Sequence, residues 1–300
     1  MIMNPLVSIL VLNWNNFDDT NNCVTSLLSL NYNNFNILII DNGSTDNSFI
    51  RLKNKFRDER IIFLKNKENF GYAGGINIGI KYVFEKLSSD FIWILNNDIM
   101  VDKDSLKFLI DAVNKNKKIG IAGPTIYLAG TKKIMEQYYR LNLLFGRFLV
   151  KTNLNENEVV KIENKKNNYI GGAAVFLRKE ILNKIGYIPE EYFMYNEDIA
   201  WHQKIKNTQL EYLYVGPAKV WHKKGASSGG KKTIMPDYYD SRNFLYFIKK
   251  FYPLWLPYEF FMSIINKVFP KVLRGEWERL RYVFMGFRDF AKGKMGKFEN

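Results

Sequence analysis

The chain has very few residues of the kinds that crosslink a protein or catalyse through imidazole. Its 300 residues include one cysteine, Cys23, and two histidines, His202 and His222. A single cysteine excludes an intrachain disulfide and favours a reducing compartment. With only two histidines, the chain has few candidates for catalysis by an imidazole.

The chain also lacks an uninterrupted apolar stretch of the roughly 20 residues that a membrane-spanning helix needs. The nearest candidate, residues 251–265, is interrupted by Pro253, Pro257 and Glu259. The first residues carry no basic segment, and the apolar run at residues 6–12 is too short for a secretory signal. We therefore expect a cytoplasmic protein that lies at most on the cytoplasmic face of the cell membrane.

Acidic residues are outnumbered by basic ones, 30 to 44, which gives a net charge of +14. Such a surplus favours polyanionic partners, namely nucleic acid, anionic lipid or phosphorylated substrates. The sequence has no recognised nucleic-acid-binding motif, so we expect no nucleic-acid partner. With 47% hydrophobic and 16% aromatic residues, the composition is that of a protein with a sizeable core and excludes a disordered chain.

Short apolar runs alternate with helical patterns through the first 125 residues. The runs are rich in Ile, Leu, Val and Phe, and lie at residues 6–12, 36–41, 61–65, 91–96 and 119–124. Each is bounded by Asn, Asp or Gly, as expected of strands buried on both faces of a parallel sheet. Amphipathic helical periods separate several of them. This alternation predicts an α/β fold with a doubly wound, mostly parallel sheet and helices on both faces.

The later part of the chain is less regular. Residues 127–168 are polar and rich in Lys and Asn, and we interpret them as an insertion. Composition changes again near residue 230, after which the sequence is basic, aromatic and helical in period. We predict a main domain over residues 1–230 and a C-terminal helical appendage over residues 231–300.

Polar residues follow several of the predicted strands, at the edge where doubly wound sheets bind ligands. Asn13, Asp41 and residues 96–98 end strands, and the glycine-rich turn at 70–75 precedes a helix. Carboxylates there suit a base, a ribose or a hard cation, and glycines let amides approach a diphosphate. Polar turns and tight connections have the same composition, so no one of these motifs is specific.

An acidic pair, Glu197 and Asp198, opens a predicted helix after an aromatic stretch. One carboxylate can take the proton of an acceptor hydroxyl while the other binds a substrate hydroxyl. Alternatively, both only stabilise the helix dipole. His202 falls within that helix and is predicted to be structural. His222 precedes a basic Gly/Ser segment, where a role as ligand or phosphate contact is the alternative to a structural one.

Taken together, these motifs resemble those of the inverting glycosyltransferases of family 2, which have the GT-A fold. The resemblance is carried, in chain order, by residues 7–15, 41–48, 69–77, 94–98 and 171–173, the pair Glu197-Asp198, and His222 with Ser227 and Ser228. It covers about residues 6–230, and ordered motifs are more specific together than alone. The branch that is most similar includes rhamnosyltransferases of surface-polysaccharide and glycolipid assembly.

The resemblance implies transfer of a hexosyl or deoxyhexosyl group from a nucleotide-diphosphate sugar to a glycan or lipid-linked acceptor. Implied donor-binding residues are Asn13, Asp41, Asn69, Gly74, Gly75, Asn77 and Asn96. Asp98 and His222 would hold a divalent cation, Mg²⁺ or Mn²⁺. Asp198 would be the catalytic base, with Glu197 beside it. Residues 1–230 would then be the nucleotide-sugar-binding catalytic domain.

The sequence departs from the family pattern in two places. The metal motif usually begins with Asp, whereas here it reads Asn96-Asn97-Asp98, which implies weaker cation binding and gives His222 more importance. Many members follow the acidic pair with a further acid and an Arg, where this chain has Ala200 and Lys204. The resemblance therefore does not extend to the identity of the acceptor.

Two other functions fit part of the pattern. A nucleotidyltransferase shares the wound nucleotide-binding sheet, but it normally has a glycine-rich basic loop after the first strand, and residues 13–16 contain no glycine. A non-catalytic nucleotide-sugar-binding protein would account for the missing first acid of the metal motif. Binding alone needs no base, however, so the pair Glu197-Asp198 favours the transferase.

The C-terminal region has its own pattern. Residues 251–269 carry several large aromatic side chains, and Trp277, Leu280, Phe284 and Phe287 form a helical stripe flanked by arginines. Basic amphipathic helices with large aromatic residues are suited to the headgroup layer of a bilayer. We therefore predict contact with an anionic membrane surface. The alternative is that these helices only pack on the main domain.

Overall fold

The computed structural model describes residues 4–163, 167–223 and 234–299. Its strands are β1 (Val7–Asn13), β2 (Phe35–Asp41), β3 (Ile61–Lys65), β4 (Phe91–Asn96), β5 (Ile99–Val101), β6 (Ile119–Leu128), β7 (Ile134–Glu136), β8 (Tyr138–Asn142), β9 (Arg147–Lys151), β10 (Val159–Ile162), β11 (Asn168–Tyr169), β12 (Ala174–Arg178) and β13 (Glu211–His222). The α-helices are α1 (Phe17–Leu28), α2 (Ser48–Lys55), α3 (Gly71–Lys86), α4 (Ser105–Asn114), α5 (Leu182–Ile185), α6 (Glu197–Gln203), α7 (Met235–Phe251), α8 (Leu256–Ser263), α9 (Phe269–Leu273) and α10 (Trp277–Ala291). Ser227 and Ser228 lie outside the described residues.

Ten strands of this part of the chain form one twisted mixed sheet. Its main order is β10-β13-β6-β12-β4-β1-β2-β3, with β5 on β13 and β7 on β6. The half from β4 to β3 is parallel throughout, as the apolar runs predict. Strand β12 runs antiparallel between β4 and β6 and makes the sheet mixed. The doubly wound α/β architecture is confirmed.

Both faces of the parallel half are covered, because successive residues of each strand point to opposite sides. Ile9 and Val11 of β1 pack into a cluster with residues of α1 and α4, while Leu10 packs on the α3 side. All three are fully buried. A strand buried on both faces needs apolar residues throughout, which is why β1, β2 and β4 read as continuous apolar runs.

The polar region at residues 127–168, interpreted as an insertion, contains short antiparallel strands. Strand β8 pairs with β9 on one side and with β11 on the other in a separate three-stranded sheet. Their exposed ends and short lengths obscure the alternation in the sequence. Leu141 of β8 and Tyr169 of β11 are nonetheless buried, and they pack with residues of α7.

The C-terminal helices share a hydrophobic core with the rest of the protein. Phe244 and Phe247 of α7 and Val283 of α10 lie in one buried cluster with Tyr192 and Ile199. Helix α8 passes through a π-helical stretch, Ile264–Val268, into α9. The predicted domain boundary near residue 230 stays a prediction. Residues before and after it pack into one hydrophobic cluster.

The predicted aromatic stripe of α10 is divided between two environments. Leu280 and Phe287 are buried, whereas Trp277 and Phe284 are 65% and 51% exposed. Packing within the protein, chiefly on α7, therefore accounts for half of the stripe. None of the described helices is long and apolar enough to cross a bilayer.

Close packing of α10 on α7 gives a stability prediction. A Cβ added at Gly286 would lie 2.6 Å from the carbonyl oxygen of Tyr238, a backbone atom that cannot turn away. Gly286→Ala should therefore lower the free energy of unfolding by about 1–3 kcal/mol, although the same change inside an exposed helix is stabilising by about 1 kcal/mol. Urea unfolding measures this change in the free energy of unfolding. Phe284→Ala, on the exposed face of the same helix, is the control. A more stable Gly286→Ala variant would contradict this packing.

Candidate active site

The site begins where the parallel strands end side by side. In the register of β1 and β2, Asn13 lies opposite Asp41. The Asn13 side chain donates to Asp41 Oδ1 at 2.9 Å and accepts from Thr20 Oγ1 at 2.8 Å. Asp41 Oδ2 accepts from the backbone of Ser44 at 3.1 Å. Both Asn13 and Asp41 are fully buried, so their hydrogen bonds hold the strand ends together beneath the protein surface.

Asn42, the residue after Asp41, joins the end of β2 to the start of α3. Its side-chain amide donates to Asn69 Oδ1 at 3.0 Å and to the Gly71 carbonyl at 2.9 Å. Its own Oδ1 accepts from the backbone of Phe70. Sequence reasoning assigned no role to Asn42, although it lies inside the strand-end motif that was singled out.

The glycines of α3 serve close packing of the helix. A Cβ at Gly75 would lie 2.5 Å from Leu12 Cδ1 on β1, and one at Gly74 would lie 2.8 Å from Phe70 Cβ. Asn77 is fully buried, and its amide donates to the Ile188 carbonyl and to Glu190, both at 2.8 Å. These three predicted donor-binding residues therefore lie behind the cavity described below and do not line it.

The first three amides at the start of α3 already have hydrogen-bond partners within the protein. The Phe70 amide donates to Asn42, the Gly71 amide to Asn69 and the Tyr72 amide to the Phe193 carbonyl. Two of the acceptors are side chains and the third is a backbone carbonyl, so these three amides are not free to bind a diphosphate. A phosphate contact of the glycine-rich turn stays a prediction.

Asp98 and His222 meet beyond the end of β4. The register of β13 with β5 places His222 opposite Ile99, and His222 Nε2 lies 2.9 Å from Asp98 Oδ1. The Asp98 carboxylate is almost fully buried. Among the described residues, His222 Nδ1 has no hydrogen-bond partner. The predicted pair of cation ligands is thus brought together from positions 124 residues apart.

Glu197 and Asp198 are adjacent in sequence but have different surroundings. Asp198 Oδ2 accepts from the Gly172 amide at 3.0 Å, and Asp198 Oδ1 accepts from the Ile199 amide at 2.8 Å. Glu197 is buried, and its Oε2 has no hydrogen-bond partner in the described part of the chain. The amides of Gly172 and Ile199 favour the ionised form of Asp198, whereas for Glu197 only its own backbone amide acts in that direction.

The electrostatics of the pair follow from burial. Loss of water, followed by the proximity of Asp198, raises the pKa of Glu197 to about 8. Burial also raises the pKa of Asp198, while its amide donors act against that rise. At neutral pH, Glu197 is therefore the neutral acid and Asp198 the better candidate for an ionised base. His202 is fully buried, and burial lowers its pKa to about 3, consistent with a structural role.

A cavity of about 490 Å³ lies next to these groups. One wall is polar and comes from the strand ends and α3, including Asn69, Asn96 and Tyr72. Burial and the charges of Glu197, Asp198 and Asp98 together raise the pKa of Tyr72. The Tyr72 hydroxyl donates to the Gly172 carbonyl at 3.3 Å, and the Gly172 amide donates to Asp198, which places Asp198 close to the cavity.

A second part of the lining is aromatic and includes residues from the C-terminal region. Phe193 and Tyr239 are stacked with ring centroids 5.5 Å apart, and Phe298 reaches the same cavity. The Phe298 amide donates to the Tyr239 hydroxyl at 2.9 Å. Sequence reasoning missed these residues because nothing in the local pattern links a C-terminal tail to strand ends.

Glycines 171 and 172 are needed because carboxylates approach their backbone. A Cβ at Gly172 would lie 2.5 Å from Asp198 Oδ2, and one at Gly171 would lie 1.5 Å from Glu136 Oε1. Glu136 also accepts from the Tyr139 hydroxyl at 2.6 Å. Glu136 is thus a further buried carboxylate near the acidic pair. It lies on the short strand β7, which no pattern in the sequence predicted.

Several curated proteins are similar to this chain. The hexosyltransferase Agl10 of low-salt glycan biosynthesis in Haloferax volcanii is 22% identical over 214 residues, which cover 71% of this chain and 65% of that protein. The N-acetylglucosaminyl-diphospho-decaprenol L-rhamnosyltransferase of Mycobacterium tuberculosis is 24% identical over 210 residues, which cover 64% of this chain and 68% of that protein. The matches therefore span about two thirds of these relatives.

Solved structures show the same fold. The mannosyltransferase PcManGT from Pyrobaculum calidifontis, in complex with GDP-Man and Mn²⁺, superposes with a TM-score of 0.61 at 10% identity, covering 98% of this chain and 89% of that one. S. aureus TarS 1–349 gives a TM-score of 0.58 at 14% identity, covering 96% and 80%. The predicted GT-A fold is confirmed.

The family model for "Glycosyl transferase family 2" matches residues 8–186, which is more than half of the chain and includes the strand-end residues, Asp98 and the two glycines beside Asp198. On this match, together with the shared fold, the chain belongs to glycosyl transferase family 2.

Proposed function

We propose that the chain is an inverting glycosyltransferase that moves a hexosyl or deoxyhexosyl group from a nucleotide-diphosphate sugar to a hydroxyl of a glycan or lipid-linked acceptor. The unequal pair Glu197 and Asp198 beside the cavity carries this proposal. Burying two neighbouring carboxylates costs free energy, and a protein that only binds its ligand gains nothing from a carboxyl of raised pKa. The named activities of the relatives support the same class of reaction.

In this mechanism, Asp198 removes the proton of the acceptor hydroxyl. The amides of Gly172 and Ile199 fix the orientation of its carboxylate and keep it ionised. Glu197 retains its proton at neutral pH and donates a hydrogen bond to a substrate oxygen. The acceptor oxygen then attacks the anomeric carbon from the side opposite the diphosphate, and this single displacement inverts the configuration.

The polar wall of the cavity is the proposed donor side. Asn69 and Asn96 are exposed to the cavity and suit contacts with the nucleotide sugar. The buried pair of Asn13 and Asp41 holds the strand ends on which the nucleoside rests. Gly75 belongs to the packing layer beneath.

A divalent cation, Mg²⁺ or Mn²⁺, fits the donor atoms of Asp98 and His222. One is an oxygen and the other a nitrogen, both ligand types that such cations accept, and the two atoms lie 2.9 Å apart. The described residues contain no group of three or more His, Cys, Asp or Glu side chains suited to a metal, so further ligands would come from the substrate or water. When bound, such a cation neutralises the charge on the leaving diphosphate.

The donor is tested directly by incubating the protein with a panel of nucleotide sugars and detecting the released nucleotide. Release of a nucleoside diphosphate that depends on an added acceptor supports transfer. Release of pyrophosphate would instead indicate a nucleotidyltransferase. Stabilisation by a nucleotide sugar without any turnover would indicate a binding protein.

Substitution of the two acidic residues, one at a time, should separate their roles. Asp198→Asn removes the base and should lower kcat by roughly 10²–10⁴-fold, with nucleotide binding retained. Glu197→Gln keeps a neutral hydrogen-bond donor and should retain far more activity. Because the pKa of Asp198 is raised, the wild-type rate should fall on the acidic side at a pH above the usual range of an aspartate.

Steady-state kinetics against pH measure these effects for both variants. An Asp198→Asn enzyme with more than about half of the wild-type rate would contradict the assignment of the base, because a lost general base costs far more. A similar loss in both variants would contradict the division of roles within the pair.

Removal of the cation should abolish glycosyl transfer. We expect excess chelator to abolish turnover and Mn²⁺ to restore it at least as well as Mg²⁺, since His222 supplies a nitrogen ligand. His222→Ala should weaken binding of the nucleotide sugar in the presence of Mn²⁺, as measured by calorimetry. Full turnover in chelator, or unchanged donor affinity in His222→Ala, would contradict this metal site.

A second part of the proposal concerns the anionic membrane surface. Large apolar side chains on α8 to α10 are exposed, among them Phe261, Phe269, Leu273 and Trp277, at 58% to 71%. The chain carries a net charge of +14, and Arg274 and Arg281 lie exposed on the same segments. Apolar burial and attraction to anionic headgroups add to one another at such a surface.

Liposome flotation tests this surface. The C-terminal helices share the core, so point substitutions are preferable to truncation. The full chain should float with anionic vesicles at low salt, and Phe261→Ser with Leu273→Ser should reduce the floating fraction. Ile50→Ser with Phe108→Ser, which removes exposed apolar side chains elsewhere, is the matched control. Equal flotation of both double variants, or none of the wild type, would contradict the membrane assignment.

A further inference from the structure

The segment that leads into the acidic pair has an unusual backbone. Phe193, Tyr195 and Asn196 all have positive φ angles, of 65°, 66° and 68°, and Glu197 follows directly. Side chains other than glycine disfavour this left-handed region, so the conformation persists only where surrounding contacts enforce it. Three such residues within four positions need a strong external support.

Asn243 of α7 supplies this support. Its side chain is fully buried, and Nδ2 lies 2.9 Å from the Tyr192 carbonyl, 2.8 Å from that of Met194 and 2.9 Å from that of Tyr195. A primary amide has two hydrogens, so these three carbonyls share them. One side chain thereby fixes the turn of the whole segment.

Arg242 orients that amide. Arg242 Nε donates to Asn243 Oδ1 at 2.9 Å, which turns the amide nitrogen of Asn243 toward the segment, and Arg242 Nη2 donates to the Tyr192 carbonyl at 3.2 Å. Arg242 is 1% exposed. Its Nη1 donates to the Tyr238 hydroxyl, which in turn donates to Asp289.

The same segment is held from the opposite side by α3. The Phe193 carbonyl accepts from the Tyr72 amide at 2.8 Å, and the Phe193 ring is stacked on Tyr239. The segment therefore lies between the donor wall and the C-terminal helix. A shift of this segment moves Glu197 and Asp198 relative to the cavity.

We propose that Arg242 and Asn243 are positioning residues, which hold residues 192–196 in the left-handed turn that presents Glu197 and Asp198 to the acceptor. The C-terminal region is then part of the catalytic unit and does more than contact a membrane. This inference rests on the proposed function of the acidic pair. Displacement of a catalytic group by about 1 Å can cost on the order of 10²-fold in rate.

The test removes the amide donors. Asn243→Ala and Asn243→Asp both lose them, and the second keeps the size of the side chain and the acceptor for Arg242. In each variant, kcat should fall on the order of 10²-fold through mispositioning of the base. Affinity for the nucleoside diphosphate of the identified donor, with Mn²⁺, should stay near the wild-type value, because the donor wall does not contact Asn243. Calorimetry and steady-state kinetics, below the melting temperature of each variant, give the two quantities.

Asn266→Ala is the matched control, since Asn266 also donates its amide from the C-terminal region to a carbonyl of the main domain, that of Phe145 at 2.7 Å. It should keep the wild-type kcat. Wild-type kcat in a folded Asn243 variant would overturn the inference, as would equal loss of kcat and nucleotide affinity. Loss of the folded state in both variants would assign Asn243 to general stability and overturn it too. An active Asp198→Asn enzyme would refute the proposed function separately.

Discussion

The site depends on the parallel pairing of β1 with β2 on one side and β4 on the other. This pairing places Asn13 opposite Asp41 and Leu12 opposite Asn96. Neighbouring strands lie about 4.8 Å apart, so residues that end three strands fall on one edge within the width of a nucleotide. The hydrogen bond from Asn13 to Asp41 then fixes that edge without exposing either side chain.

The part of the site around the acidic pair is built differently. No strand end supplies Glu197 and Asp198; they follow a loop whose left-handed residues are held by α7 and by the start of α3. The loop must also bring Asp198 to within hydrogen-bonding distance of Gly172, where only glycine leaves room for the carboxylate. The strand-end part of the site is therefore fixed by regular pairing, and the part around the acidic pair by buried polar contacts across distant segments.

Much of this arrangement follows from local patterns. Strands buried on both faces read as apolar runs, so the positions of β3 and β4 and the residues at the strand ends follow from the sequence. The roles given to Gly74, Gly75 and Asn77 do not follow as directly. Glycines before a helix serve phosphate binding and close helix packing equally well, and here Leu12 and Phe70 occupy the space that decides between them.

By itself, the sequence determined the α/β alternation and the strand-end residues, because each depends on neighbours within about one strand or helix of one another. It also indicated the family, through the order of its motifs along the chain. Three contacts are visible only in the tertiary structure. His222 lies beside Asp98, the Gly172 amide donates to Asp198, and Asn243 donates to the segment before Glu197. These contacts join residues far apart along the chain. A hydrogen bond between such residues depends on where folded elements come to lie, and no local periodicity encodes that position.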